Sequence, residues 1–203
     1  VILGGRIGYV LFYGFEYWRG DPWYPLKVWE GGMSFHGGLL GVLVGIAIFA
    51  VRGKRRIADV FDFAAPLPGL GLFAGRIANF INGELWGRET TMPWGFQVNG
   101  RVLHPSQLYE ALLEGLVLFT VLWIFTSKPR PRLAPSGLFL VLYGCARFAV
   151  EFVRVPDQQL GYLAGGWLTM GQVLSTPMIL VGVALLVRAY GRNEPSGNLV
   201  PAR

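Results

Sequence analysis

The sequence predicts an all-α fold: a polytopic α-helical integral membrane protein of about six transmembrane helices with a small extracytoplasmic cap. Three observations predict it. The 203 residues are 53% hydrophobic and 15% charged, with a mean hydropathy of +0.44; an average soluble domain carries about 25% charge. Six windows are apolar over nearly the ~20 residues needed to cross a bilayer core. Lys and Arg cluster after every second window, as the positive-inside rule requires of cytoplasmic loops. This composition excludes a disordered chain and argues against an ordinary soluble domain. One Cys excludes an internal disulfide framework, and with two His it leaves little for a metal site.

The windows are 1–18, 34–51, 59–81, 105–126, 136–153 and 169–190. Several contain Gly, Pro or a charge, which membrane helices tolerate where neighbours satisfy the backbone. Arg52, Lys54, Arg55 and Arg56 follow the second window. Lys128, Arg130 and Arg132 follow the fourth, and Arg188, Arg192 and Arg203 mark the end of the sixth. One side of the membrane holds them all, and it reads as cytoplasmic. The net charge of +6 is therefore a topology signal that needs no nucleic-acid partner. Connections 19–33, 82–104 and 154–168 read as extracytoplasmic. Trp18, Trp23, Trp29, Trp86, Trp94 and Trp167 lie there, as an interfacial aromatic belt would. Residues 1–190 are expected to form the transmembrane domain, with 82–104 a head loop and 191–203 a flexible cytoplasmic tail. Gly5-Arg6-Ile7-Gly8 and Gly75-Arg76-Ile77-Ala78 look alike, but two four-residue matches are weak evidence for duplication. No signal peptide is evident, and the apolar start without Met reads as an N-terminal truncation.

Ionisable groups inside spans are costly, so each is a functional candidate by default. Arg76 and Asn79, three residues apart in the third window, share a helix face. The bland alternative is an Arg that snorkels to the outer interface. Arg147 and Glu151 in the fifth window have the i,i+4 spacing of an intrahelical ion pair. Even a paired guanidinium keeps donors for a phosphate. His36 opens the second window, and an imidazole suits proton transfer near neutral pH; a lone His is more often structural. Gly37, Gly41 and Gly45 form a small-residue stripe for close helix packing. Glu110 and Glu114 are one turn apart after His104-Pro105. They could point inward, although a capped helix start with a polar face accounts for them slightly better. Arg6 and Glu16 carry the same ambiguity. Asp59 and Asp62 read as structural charges at a helix N-terminus, and Cys145 as a small packing residue. His36, Arg76, Asn79, Glu84, Arg147 and Glu151 map to the outer half of three spans or just beyond. That depth suits phospholipid headgroups, so the residues alone point to a site for an anionic lipid with a candidate general base.

The segment His36-Gly37-Gly38-Leu39-Leu40-Gly41 is followed in order by four others. They are Gly75-Arg76-Ile77-Ala78-Asn79-Phe80-Ile81-Asn82-Gly83-Glu84-Leu85-Trp86-Gly87-Arg88, His104-Pro105-Ser106-Gln107-Leu108-Tyr109-Glu110, Tyr143-Gly144-Cys145-Ala146-Arg147-Phe148-Ala149-Val150-Glu151-Phe152 and Met170-Gly171-Gln172. The series closely resembles bacterial prolipoprotein diacylglyceryl transferases, over nearly the whole chain, and looks like the enzyme of a Gram-negative bacterium. The third-window motif is the most specific part. The resemblance implies a multi-pass enzyme of the inner membrane, with its site towards the periplasm. It implies transfer of diacylglyceryl from phosphatidylglycerol to the thiol of the lipobox Cys in a prolipoprotein signal peptide. A thioether forms and glycerol 1-phosphate leaves, as the first step of lipoprotein maturation, with no metal or organic cofactor. By the same resemblance Arg76 binds the headgroup, and His36 and Arg147 match essential positions. Asn79, Glu84, Gly87, Tyr143 and Glu151 match positions that support the site. The family has seven spans, so a first span carrying its own Tyr and His is expected to be missing here, and the 82–104 head region is short.

Thioether formation needs a thiolate and a good leaving group. Arg76 and Arg147 could bind the phosphate and offset the charge that grows as the C–O bond breaks. His36 could accept the thiol proton, or the arginines could lower the thiol pKa while His36 orients the lipid. A small transporter or channel would instead need polar residues through the full bilayer depth. The cytoplasmic halves of the windows are apolar apart from Asp59 and Asp62. A non-catalytic anionic-lipid-binding protein would use the arginines and has no evident use for His36.

Overall fold

The structure is a computed structural model that describes residues 1–156, 161–163 and 165–195. Its helices are α1 (Ile2–Phe12), α2 (Phe15–Gly20), α3 (Phe35–Arg52), α4 (Ile57–Ala64), α5 (Leu67–Ile81), α6 (Ser106–Glu110), α7 (Leu118–Thr126), α8 (Ala134–Val150) and α9 (Met170–Arg192). A π-helical segment, Ala111–Val117, joins α6 to α7. Each of the six apolar windows is thus helical. Two rods, Ser106–Thr126 and Met170–Arg192, are long and apolar enough to cross a membrane. The α4–α5 pair makes a third if its 42° bend lies within one span. Ile2–Phe12, His36–Arg52 and Ala134–Val150 are apolar but shorter. The first window falls short because the helix breaks at Tyr13-Gly14, where α2 begins anew.

The chain forms two compact units, Val1–Val60 and Phe61–Arg203. In the first, α1 packs on α3 through Gly4 and Gly8 against Gly37 and Gly41. A Cβ on Gly8 would stand 2.9 Å from the Gly37 Cα. Small residues let two apolar helices approach this closely. Gly45, the third member of the expected stripe, has open space beside it. Ser34 caps α3 by accepting from the Gly37 N–H at 3.3 Å. Arg6 is 1% exposed. Its guanidinium donates to the carbonyls of Gly31 and Gly32 and, at 2.8 Å, to that of Tyr24. It also lies over the Tyr24 ring, 4.6 Å from the centroid. Arg6 therefore ties the connection after α2 to α1, which settles its ambiguity as a structural role.

In the second unit α5 runs antiparallel to the α6–α7 rod, and α8 antiparallel to α9. Both pairs close on glycines. A Cβ on Gly115 would lie 2.7 Å from that of Phe73, and one on Gly137 2.9 Å from the Gly182 carbonyl. Asp62 is 3% exposed. Its carboxylate accepts from Leu133 N–H at 2.7 Å, Ser136 N–H at 3.1 Å and Ser136 Oγ at 2.6 Å. Those amides start α8 and have no partner within that helix. Asp62 is structural as expected, but the helix it serves is α8. Cys145 is exposed on α8, so it is not the packing residue expected. Past α9, Glu194 meets Arg132 at 2.6 Å. Residues 196–203 of the expected tail lie outside the described residues.

The head loop departs from an all-α fold. Strands β1 (Phe96–Val98) and β2 (Arg101–Leu103) pair antiparallel, with Phe96 opposite Leu103. Asn99 and Gly100 sit between them at φ of 50° and 80°, the left-handed pair that a two-residue hairpin turn requires. The rings of Phe80, Trp86 and Phe96 pack with centroids 5.3 to 5.7 Å apart, fastening the hairpin to the end of α5.

Replacing Asp62 by Ala should lower stability by about 1–3 kcal/mol, since it leaves buried α8 amides without an acceptor. Thermal unfolding in detergent measures this, and Asp62→Asn should lose less. An unchanged melting temperature for Asp62→Ala would show that the cap is dispensable.

Candidate active site

The antiparallel packing of α5 brings Arg76 to the start of the α6–α7 rod. There Nε of Arg76 lies 2.6 Å from Oε2 of Glu110. Glu110 is 0% exposed, and a carboxylate so deprived of water needs countercharge. Two more arginines supply it. Nη1 of Arg154 is 2.5 Å from Oε1, and Nη1 of Arg147 is 3.7 Å from Oε2. Arg147, on the last turn of α8, also grips Glu151 (Nη2–Oε1, 2.5 Å) and stands 3.6 Å from Oε1 of Glu114. Nε of Arg154 closes the ring, 3.2 Å from Oε1 of Glu151. Three guanidinium groups and three carboxylates thus form one ionic network.

Its supports come from several elements. The Thr169 hydroxyl donates to Oε2 of Glu151 at 2.6 Å. Oγ1 of Thr169 also accepts from the Gln172 N–H at 3.4 Å, and Oε1 of Gln172 accepts from the Thr169 N–H at 3.0 Å. This reciprocal cap of α9 therefore also orients Glu151. A Cβ on Gly171 would collide with Glu151, 2.5 Å from its Cδ. Arg88 donates to the carbonyls of Arg154 at 2.8 Å and Glu151 at 3.3 Å, holding the turn after α8. Gly87 lets the head loop cross that turn: its N–H donates to the His104 carbonyl at 2.9 Å, and a Cβ there would lie 2.5 Å from the Val153 carbonyl. Glu114 sits on the π-helical segment, a wide turn that recurs at functional sites.

Of the residues the sequence singles out, Arg76, Arg147 and Glu151 come together here. Tyr143 on α8 faces Glu114 and Arg147. Asn79 and Glu84 form a separate exposed pair, Nδ2 to Oε2 at 3.1 Å. His36 lies exposed on the first turn of α3, in the first unit. The Arg147–Glu151 pair forms, but it is shared with Glu110, Glu114 and Arg154 and is not self-contained. Arg76 meets a buried carboxylate and does not simply snorkel. Glu110 and Glu114, read as the polar face of a helix start, are both 0% exposed. Arg154 was not singled out, although 147, 151 and 154 share one helix face by spacing.

Chemically, the network sets three guanidinium groups against three carboxylates and leaves some guanidinium donors unused. Arg76 is the least buried of the three, with 21% of its side chain exposed. Among the ion pairs of the described residues it acts through Nε alone, which leaves both terminal nitrogens for a ligand. Among the described residues there is no cluster of metal-ligating side chains.

Membrane-length apolar rods around a buried arginine–glutamate network are the make-up of an integral membrane protein. The comparisons narrow this. The prolipoprotein diacylglyceryl transferase family matches residues 1–188. A phosphatidylglycerol–prolipoprotein diacylglyceryl transferase of Pseudomonas paraeruginosa is 58% identical over 196 residues, covering 95% of this chain and 74% of the relative. The enzyme of the same name from Oleidesulfovibrio alaskensis is 58% identical over 202 residues, 98% of this chain and 75% of the relative. That of Nitratidesulfovibrio vulgaris strain Hildenborough is 59% identical over 189 residues, 92% and 72%. The chain belongs to the prolipoprotein diacylglyceryl transferase family.

Glu110→Ala should destabilise the fold by about 3–5 kcal/mol, because three cations lose their shared carboxylate. A melting temperature within a degree or two of the parent would show that the arginines do not depend on it.

Proposed function

We propose that this chain transfers the diacylglyceryl group of phosphatidylglycerol to the lipobox cysteine thiol of prolipoproteins. A thioether forms and glycerol 1-phosphate leaves. The observation that carries the reading is the meeting of Arg76 and Arg147, from separate helices, on one shared buried carboxylate, that of Glu110, in a chain of this family.

The setting we propose is the bacterial inner membrane, crossed by six helices of this chain, with the site towards the periplasm. The charge pattern supports it. Arg76 and Arg147 lie near the C-terminal ends of α5 and α8, and Glu110 near the start of the α6–α7 rod. The Lys- and Arg-rich connections 52–56 and 128–132 belong to the opposite ends. A transporter is less well supported, since the described ionic network is confined to one end of its helices.

The headgroup phosphate docks against the terminal nitrogens of Arg76 and Nη1 of Arg147, which makes no hydrogen bond of its own among the described residues. The lipobox sulfur attacks the glyceryl carbon that bears the phosphate ester oxygen. The S–C bond forms, the C–O bond breaks, and its electron pair passes to the phosphate. The leaving phosphate gains negative charge, which preoriented guanidinium groups stabilise better than water does. His36, in the first unit, is the candidate acceptor of the thiol proton; alternatively the arginines lower the thiol pKa and His36 orients the lipid. Asn79, Glu84, Gly87, Tyr143 and Glu151 hold the substrates or the arginines in place. No metal or organic cofactor takes part.

The test is a transfer assay with phosphatidylglycerol and a lipobox peptide, read as added diacylglyceryl mass on the peptide Cys. Arg76→Ala and Arg147→Ala should each lower the rate by at least about 100-fold. Ordinary turnover by either folded variant would remove the phosphate clamp. His36→Gln should lower the rate. Full activity would exclude His36 as the base.

A further inference from the structure

Glu114 stands apart from the other carboxylates of the network. It is 0% exposed, and among the described residues neither of its oxygens has a hydrogen-bond partner. Glu110 accepts a 2.5 Å bond from Arg154 and touches Arg76; Glu151 is held by Arg147, Arg154 and Thr169. Among the described residues Glu114 has only Nη1 of Arg147 within ion-pair range, at 3.6 Å. That same nitrogen is itself without a hydrogen bond, while Nη2 is taken by Glu151 at 2.5 Å. The titratable and charged groups that face Glu114 are few. From α5 comes Arg76, from α6 Glu110, from α8 Tyr143 and Arg147, and from the turn beyond it Glu151 and Arg154. Segment α7 contributes none, and Arg88 is turned to backbone carbonyls one layer out.

We propose that Glu114 is the proton-holding group of the site, taking up one proton from solvent when a phosphate diester docks on Arg147. The proposal rests on the functional reading above and deepens it. Nη1 of Arg147 is the donor that both the phosphate and Glu114 need. Two anions cannot share it in a low-dielectric interior without strong repulsion. A phosphate diester is ionised throughout the physiological range and brings no proton of its own. Protonating the uncompensated carboxylate removes the repulsion, and release of the phosphate product returns the proton. Glu114 acts through Arg147, so it is a positioning residue. Its neutral form should favour lipid binding, and affinity for phosphatidylglycerol should fall as pH rises.

The experiment measures KM for phosphatidylglycerol in detergent micelles, with a lipobox peptide as acceptor, from pH 6 to 8.5. For the parent protein KM should rise on the order of tenfold per pH unit above the titration of Glu114, as linkage to one proton demands. Glu114→Gln should abolish this slope, and Glu114→Asp, which still titrates, should keep it. The same slope in Glu114→Gln, or a flat KM in a parent that transfers normally, would overturn the proposal alone. Absence of transfer by the parent would overturn the functional reading and the proposal with it. Should Glu114→Gln fail to fold, calorimetry of the parent in two buffers of different ionisation enthalpy decides. Uptake near one proton per bound phosphatidylglycerol supports the proposal, and uptake near zero overturns it.

Discussion

A carboxylate sealed from solvent, that of Glu110, determines where three arginines lie. Desolvating one carboxylate without partners would be prohibitive, and Arg76, Arg147 and Arg154 converge to prevent it. Arg76 comes from α5 and the other two from the end of α8 and the turn after it, so the ionic requirement joins α5, the α6–α7 rod and α8. The rest of the second unit is arranged to permit that convergence. Glycines on facing helices remove the side chains that would hold the rods apart. The α9 cap orients Glu151, and Arg88 fixes the turn that carries Arg154. Fold and site are in this sense one interaction: the helices pack where the charges can meet.

The opposite ends of these helices obey a different constraint. There Asp62 satisfies the first amides of α8, and the arginine–glutamate contact described there, Arg132 with Glu194, is a single pair. A one-sided distribution of charge suits chemistry at one membrane face, where a lipid headgroup and an acceptor peptide can both arrive. It suits a conducting path poorly, because such a path needs polar groups throughout.

Much of the helical fold was legible because apolar length is a local property. All six windows became helices, and the stripe at Gly37 and Gly41 became the α1–α3 contact. What was not legible depends on partners distant in sequence. The Arg147–Glu151 spacing showed a pair, but no spacing could show that Glu110 and Glu114 would be buried against it. Two glutamates a turn apart in an otherwise apolar window were the available signal, and helix-start chemistry offered a competing account of them. The head hairpin had a stronger signal: Asn99-Gly100 between short β-prone runs is a turn with a mechanism, and the apolar-span reading passed over it. Gly45 and Cys145 failed for a simpler reason, since periodicity assigns a face without saying whether anything covers it. The motif around Arg76 carried the family, while the geometry added Glu110, Glu114 and Arg154 as its partners.

The central claim is that Arg76 divides its guanidinium between two anions, Nε to Glu110 and the terminal nitrogens to the headgroup phosphate. Lys carries the same charge on a single nitrogen and cannot make that division. The most direct measurement is the affinity of Arg76→Lys for phosphatidylglycerol, with the melting temperature taken on the same preparation. The account predicts binding at least about tenfold weaker, the loss expected when a bidentate contact becomes a point charge, in a protein that remains folded. Affinity equal to that of the parent would show that charge alone holds the lipid and would contradict the divided fork.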